Sequence, residues 1–230
     1  MKSIYNIALL VALALPAFGQ KKAEKDTVTV KPSFVPTGVR IGTDVIALAK
    51  TSYDKTFNGW EMNADVDFNR YYFAVDVGSW GRKYAADSAN YSNTGRYFRV
   101  GADVNFLKKD PDKNMFFLGL RYGNATFSEN MSVIRHDQQW GNLSGSYENN
   151  NIRAHWLELT TGLRVKMWKM IWMGYTARFK FGLGTSSTPV MLPHDVPGYG
   201  RTDKTSYWGF NYQIFVRIPV RKSPAVPAEK

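Results

Sequence analysis

From residue 38 onward, apolar and polar positions alternate with a period of two in eight separate segments. The segment GWEMNADVDFN (59–69) is the plainest case. Trp60, Met62, Ala64, Val66 and Phe68 form an apolar row, and Glu61, Asn63, Asp65, Asp67 and Asn69 form a polar one. Period two means an extended strand with two unlike faces. The pattern recurs over 38–49, 71–80, 97–106, 115–127, 155–167, 171–183 and 206–218. In each segment the row opposite the apolar one carries charge. It holds Arg40 and Asp44, then Asp76, Arg99 and Asp103, Arg121, the trio Glu158, Arg164 and Lys166, the pair Arg178 and Lys180, and last Arg217.

The connections have their own rhythm. Short links (69–70, 108–114 and 168–170) alternate with longer ones (50–59, 81–95, 128–153 and 184–204). The segments exceed the usual soluble strand of about 5–6 residues. Strands of about 9–11 residues, apolar on one face and joined by alternating short and long links, are the pattern of a membrane barrel. The sequence therefore predicts an all-β fold: an eight-stranded antiparallel up-and-down transmembrane β-barrel with short periplasmic turns and longer extracellular loops. Its apolar rows face lipid and its charged rows face the lumen. Closure is compulsory, because an open edge in hydrocarbon leaves backbone groups unpaired.

Aromatic residues make up 15% of the chain and gather toward strand ends. Trp60, Phe181 and Trp208, with Phe127 and Trp156, mark the ends joined to long links. Phe68, Tyr71, Phe106, Phe116 and Trp168 mark the short-turn ends. Two interface belts are expected of a spanning barrel. The soluble alternative is a secreted lipocalin-like carrier with the apolar rows inward. It would turn Asp76, Asp103, Arg121 and Arg178 to water. It explains the link rhythm poorly, and it must enclose many large side chains.

The start of the chain points to export. Lys2, an apolar run over 7–15 and the small residues Ala17 and Gly19 fit a signal peptide over 1–19. Residues 20–36 then read as a flexible periplasmic leader, 37–220 as the outer-membrane barrel, and 221–230 as a periplasmic tail. The bacterial outer membrane is the expected location. The chain has no cysteine, which excludes disulfides, thiolate metal sites, cysteine catalysis and a lipoprotein anchor. Its net charge of +11 concentrates in the leader, short turns and tail, at Lys21, Lys22, Lys109, Lys169 and Arg221 among others. Export makes nucleic acid a poor partner for that charge. A basic rim meeting lipid phosphates or an acidic protein partner fits better. Outer-membrane lipid and a protein within an outer-membrane complex are the expected partners, with no cofactor and no metal.

Inside the predicted barrel the signs are ordered. Glu61, Asp65 and Asp67 lie on the second strand, and bases dominate strands five to seven. An eight-stranded barrel is only wide enough for its own side chains to fill it. A charged plug rather than a pore is expected, with Asp67 near Arg164 or Lys166 as the leading pair. Glycines 101, 119, 123, 162, 174 and 209 share that inner face and make room for long neighbours.

Three histidines carry the catalytic alternative. His136-Asp137 and His194-Asp195 fall in long links, and His155 lies at the outer rim near Ser144 and Ser146. An outer-membrane enzyme acting on lipid or peptide would need a histidine, a carboxylate and a nucleophile or water to converge. The sequence supplies the residue types without convergence, so no catalytic residue is assigned.

The stretches PTGVRIGTDV (36–45), GWEMNADVDF (59–68), GLRYG (119–123), WLELTTGLRV (156–165) and YQIFVRIPV (212–220) together resemble a Bacteroidota family of small outer-membrane β-barrel proteins. That family is known only as a domain of unknown function. The resemblance spans 36–220 and implies the fold and the location, with no catalytic residue to carry over. Some small barrels of this phylum resemble accessory subunits of large outer-membrane assemblies, the barrel-assembly (BAM) machine among them. A non-enzymatic structural or accessory role is the expectation.

Overall fold

The computed structural model describes residues 34–107, 110–137, 139, 141–186 and 191–221. The signal-peptide and most of the leader assignments, and the tail beyond Arg221, lie outside the described residues. Among the described residues, ten strands and one helix follow in chain order: β1 (Gly38–Asp44), α1 (Val45–Tyr53), β2 (Phe57–Phe68), β3 (Tyr71–Ala86), β4 (Ala89–Asn105), β5 (Met115–Asp137), β6 (Gly141–Trp168), β7 (Ile171–Thr185), β8 (Asp195–Val196), β9 (Gly200–Arg201) and β10 (Ser206–Pro219).

Eight of the strands form one antiparallel sheet that closes on itself, in the order β1-β10-β7-β6-β5-β4-β3-β2. The closing pair is β1 with β10, from Gly38 opposite Pro219 to Asp44 opposite Gln213. Both ends of the sheet's chain path thus lie on the rim that carries the short turns. Asn69 and Lys169 make those turns with positive φ values of 65° and 25°, a region that asparagine tolerates well.

The alternation read from the sequence is the alternation of inside and outside. Glu61, Asn63, Asp65 and Asp67 are buried, while Trp60 and Met62 are exposed. The same holds around the ring: Phe73, Phe98, Leu120, Leu159, Tyr175 and Phe210 face outward, and Asp76, Arg99, Arg121, Glu158, Thr176 and Asn211 face inward.

The first segment departs from expectation. Residues 38–49 do not form one strand, because β1 stops at Asp44. Beyond Asp44 the run VIALA is apolar on both parities, so no two-faced strand continues. Asp44 instead caps α1, its carboxylate accepting from the Ile46 amide at 3.1 Å. Aspartate at that position satisfies an amide that the first helical turn leaves open.

Two of the expected long links are strands. β3 and β4 pair as far as Ala86 and Ala89, and β5 and β6 as far as Asp137 and Gly141. The serine-, asparagine- and glycine-rich composition of these stretches reads as loop, yet backbone pairing needs no apolar row when a neighbouring strand is present. One irregularity interrupts the long hairpin: the register shifts between Phe127 and Glu129, near Asn151 at φ 56°. An extra residue of this kind bends a strand and raises its twist.

Residues 195–200 of the fourth link fold inward. β8 and β9 pair with each other. Val196 and Tyr199 join a buried cluster with Tyr97, Phe127, Ile152 and Trp156. Phe127 and Trp156 therefore belong to the interior and not to the outer aromatic row. The extended hairpins leave their apolar inner face without a facing strand, and this loop covers it.

Candidate functional site

The interior is stratified. Nearest the short turns lies an apolar floor of Tyr72, Met115, Phe117, Trp172 and Phe215, all buried. Farthest from the turns lies the cluster of Val196, Tyr199 and Trp156. Between the two is a layer of charge.

Five arginines and five carboxylates make one connected network in that layer. Asp65 takes the Arg40 Nε at 2.8 Å and also bonds Arg164. Arg164 reaches Asp103 at 3.6 Å, and Asp103 bonds Arg121 at 2.8 Å. Arg121 bonds Asp76 at 2.6 Å. Asp76 takes Arg178 at 3.1 Å and lies 3.8 Å from Arg99. Arg99 and Arg178 both reach Glu61, at 2.8 and 3.6 Å, and both reach Glu158, at 3.0 and 2.9 Å. Every member is at most 3% exposed. Charges withdrawn this far from water are tolerated only when paired and hydrogen-bonded. Equal numbers of each sign meet that condition.

Neutral side chains add to the bonding. Tyr97 donates to Glu61 at 2.7 Å, and the Trp156 indole N–H donates to Glu158 at 2.7 Å. Asn63 donates to Glu61 and Asp76. Asn211 accepts from the Arg178 Nε at 2.6 Å. The guanidinium planes also rest on rings: Arg40 lies 4.6 Å from the Tyr72 centroid, and Arg164 lies 4.7 Å from Phe215. Such contacts are attractive over a ring face. Gly119 and Gly123 leave space that the network uses, since a Cβ there would meet the Asp103 carboxylate and the Trp156 ring.

Several assigned residues fall elsewhere. Asp67 does not meet Arg164 or Lys166. It bonds Arg217 at 2.8 Å, the Thr37 hydroxyl at 2.7 Å and the Gly38 amide at 2.9 Å, tying the start of β1 to the rim. Lys166 is half-buried at the turn end and pairs with the exposed Asp112 at 2.7 Å, below the ionic layer. Asp44 makes no ion pair among the described residues; besides capping α1 it accepts from Asn211 at 2.7 Å. Lys180 is buried and donates to the Gly198 and Tyr199 carbonyls at 2.7 and 3.1 Å. It holds the inward loop in place. Nothing in the hydrophobic pattern pointed to Tyr199 or Gly198 at this site, because a loop's contact partners have no period.

The outward aromatics lie in two rows. Phe68 pairs with Tyr71, and the Phe106 and Phe116 rings are 5.8 Å apart, all at the short-turn end. Trp168 is exposed beside Lys169. At the opposite end, Phe179 lies 4.5 Å from both Phe181 and Trp208, and Trp60 is exposed.

The histidines do not converge. His136 pairs with Asn142 and His155 with Asn124 across the same hairpin. On β5 those register points are 12 residues apart, about 40 Å along a strand. His155 faces outward on β6 and is not in a loop. His194 packs edge-on against Tyr91 at 5.4 Å, and its amide meets Glu129 at 3.3 Å. Just beyond it, burial raises the Asp195 carboxyl above the ordinary aspartate range, against the pull of Arg82 at 3.1 Å. Among the described residues no group of histidines and carboxylates is placed to hold a metal ion.

Fold and interior together define an all-β protein, an eight-stranded antiparallel sheet closed around an ionic core. The chain belongs to the family described as Domain of unknown function (DUF6048), whose model matches residues 1–223. A search of curated proteins finds no match.

Proposed function

We propose that this is a non-enzymatic outer-membrane β-barrel, closed by its ionic core and serving as a structural or accessory subunit of an outer-membrane assembly. One observation carries the reading: the sheet is inside out. The network of charge is buried, and rows of Trp, Phe, Leu and Tyr are exposed. A lipocalin-like carrier would have the reverse arrangement. In water such an outer surface far exceeds the few hundred Å² of apolar patch that monomers expose; in lipid it is the expected one.

The spacing of the aromatic rows agrees. Trp168 stands opposite Ile171, and Ile171 and Phe181 are ten residues apart on β7, about 33 Å along the strand. A tilt of about 40° reduces this to about 25 Å, the usual height of a barrel's apolar band. No helix among the described residues is long and apolar enough to cross a membrane, so spanning would rest on strands. In this reading the short turns and both ends of the barrel face the periplasm, and the long hairpins face outward. The separation of the histidines argues against the lipid- or peptide-modifying alternative.

Fractionation of cells, followed by gel electrophoresis of heated and unheated membrane samples, tests the proposal. The protein should sediment with the outer membrane, and its unheated form should migrate apart from the heated one. A protein recovered in the soluble fraction would overturn it.

A further inference from the structure

The wall of the barrel is incomplete on one side. β1 ends at Asp44 opposite Gln213, and its last pair with β2 is Thr43 with Met62. β2 runs on to Phe57 and β10 reaches back to Ser206. Along 57–61 and 206–212 no strand lies between these two.

α1 stands in the gap. The Thr51 hydroxyl donates to the Gly59 carbonyl at 2.7 Å and accepts from the Gly59 amide at 2.8 Å, standing in for the missing strand. Asp44 accepts from the Tyr212 amide at 3.3 Å. A nine-residue helix cannot pair both edges as a strand does, and space remains beside it.

That space is a cavity of about 200 Å³. Its lining comes from both faces of the sheet: Glu61, Arg99 and Lys180 point inward, whereas Trp60, Trp208 and Phe210 point outward. The cavity thus crosses the wall, from an apolar aromatic mouth to a charged interior. At about 30 Å³ of liquid volume per water, it is the size of roughly six or seven waters. That suits a headgroup and not a whole lipid.

The charges at its inner end are unequally satisfied. Glu61 is engaged by Arg99 and Tyr97, and Asp44 by Asn211 and two amides. Arg82 has Asp195. Lys50 and Lys180 also line the cavity, and among the described residues neither has a carboxylate within 4.0 Å. Lys50 lies 4.6 Å over the Phe57 ring, and Lys180 has only carbonyls. Lys180 stands opposite Glu158 in the register, but the four bases of the lining (Lys50, Arg82, Arg99 and Lys180) outnumber its two acids (Asp44 and Glu61), and behind an aromatic mouth that excess matches an anionic amphiphile.

We propose that this lateral portal between β2 and β10 binds the anionic headgroup of a membrane lipid. The phosphate sits against Lys50 and Lys180, and the acyl chains lie along Trp60, Trp208 and Phe210. The inference rests on the membrane reading above.

The test uses the protein reconstituted in nanodiscs containing phosphatidylcholine and phosphatidylglycerol, with native mass spectrometry of the lipids retained. The folded protein should retain phosphatidylglycerol in preference to phosphatidylcholine. Lys50→Gln and Lys180→Gln should each lower that preference by about tenfold, the scale of one lost charge-assisted contact. Lys169→Gln, at the opposite rim, should leave it unchanged. Lys50→Gln, on the half-buried helix, keeps the test open if Lys180→Gln fails to fold. Competition by soluble glycerol phosphate would instead mark a site for free phosphate and overturn the lipid assignment. Equal retention of the two lipids, or indifference to both lysine changes, overturns the proposal while leaving the membrane barrel intact. Failure to insert into nanodiscs overturns both.

Discussion

Asp65 and Arg164 bond to each other across the full width of the barrel. They stand on β2 and β6, four strands apart around a ring of eight in either direction. The bond spans the interior, and Arg40 shares the same carboxylate from β1. Opposite walls of the sheet are thereby fastened through their buried charges.

Breaking one side of this bond should be costly. Asp65→Leu leaves Arg40 and Arg164 buried without their carboxylate, and loss of one partner of a buried pair typically costs about 3–5 kcal/mol. The double change Asp65→Leu with Arg164→Met should cost clearly less than the sum of the two single changes. Unfolding by urea in lipid vesicles measures all three. Strict additivity would mean that the two side chains are not coupled.

The ionic layer and the apolar floor should also block ion flow. In a planar bilayer the wild-type protein is expected to show no steady single-channel conductance. A stable open channel would remove the closed-lumen part of the proposed function.

Leu120 offers a direct measure of what surrounds the barrel. It lies mid-wall on β5 with its side chain exposed. Facing lipid, Leu120→Arg should destabilise the fold by about 2–4 kcal/mol. Facing water, the same change should stay within about 0.5 kcal/mol. The value found by urea titration decides between the two.

The inward loop should respond to pH through Asp195. Burial raises its pKa, against the opposing influence of Arg82, His194, Lys180 and Lys50. The docked loop therefore holds the proton more tightly than a released loop does. Docking should weaken as pH rises from the ordinary aspartate range through the raised value, and stay constant above it. Hydrogen-exchange protection of residues 194–202, corrected for intrinsic rates, measures this. Asp195→Asn should remove its share of the pH dependence.

Tyr199 should anchor the same loop. Its ring packs 5.8 Å from Trp156, and its hydroxyl donates to the Lys204 carbonyl at 2.9 Å. Tyr199→Ala should lower protection in 194–202 while leaving β5 and β6 protected, because those strands hold each other by backbone pairing. Equal loss in both places would show that the loop is not a separate unit.

Most of the wall strands and their faces were legible in the pattern of residues. Period two assigns each side chain to one side of a sheet whatever its neighbours are, so Glu61, Asp76, Arg121 and Arg178 could be placed inside from the pattern alone. It also determined that β2 and β6 stand opposite, given eight strands in sequence order. It could not determine the rung at which they meet. That depends on the stagger of the strands around the ring, a property of closure, which is why Arg164 meets Asp65 and not Asp67. Lys166 has the inward parity of its strand but lies too near the turn to be enclosed. α1 hid within an apparent strand, because Val45 and Ala47 fit period two and only the cap at Asp44 signals the break. The extended hairpins and the inward loop were decided by tertiary structure alone. Strands can extend through polar residues when a neighbour offers backbone groups, and Val196 and Tyr199 are buried only because the long hairpins leave an apolar face to cover.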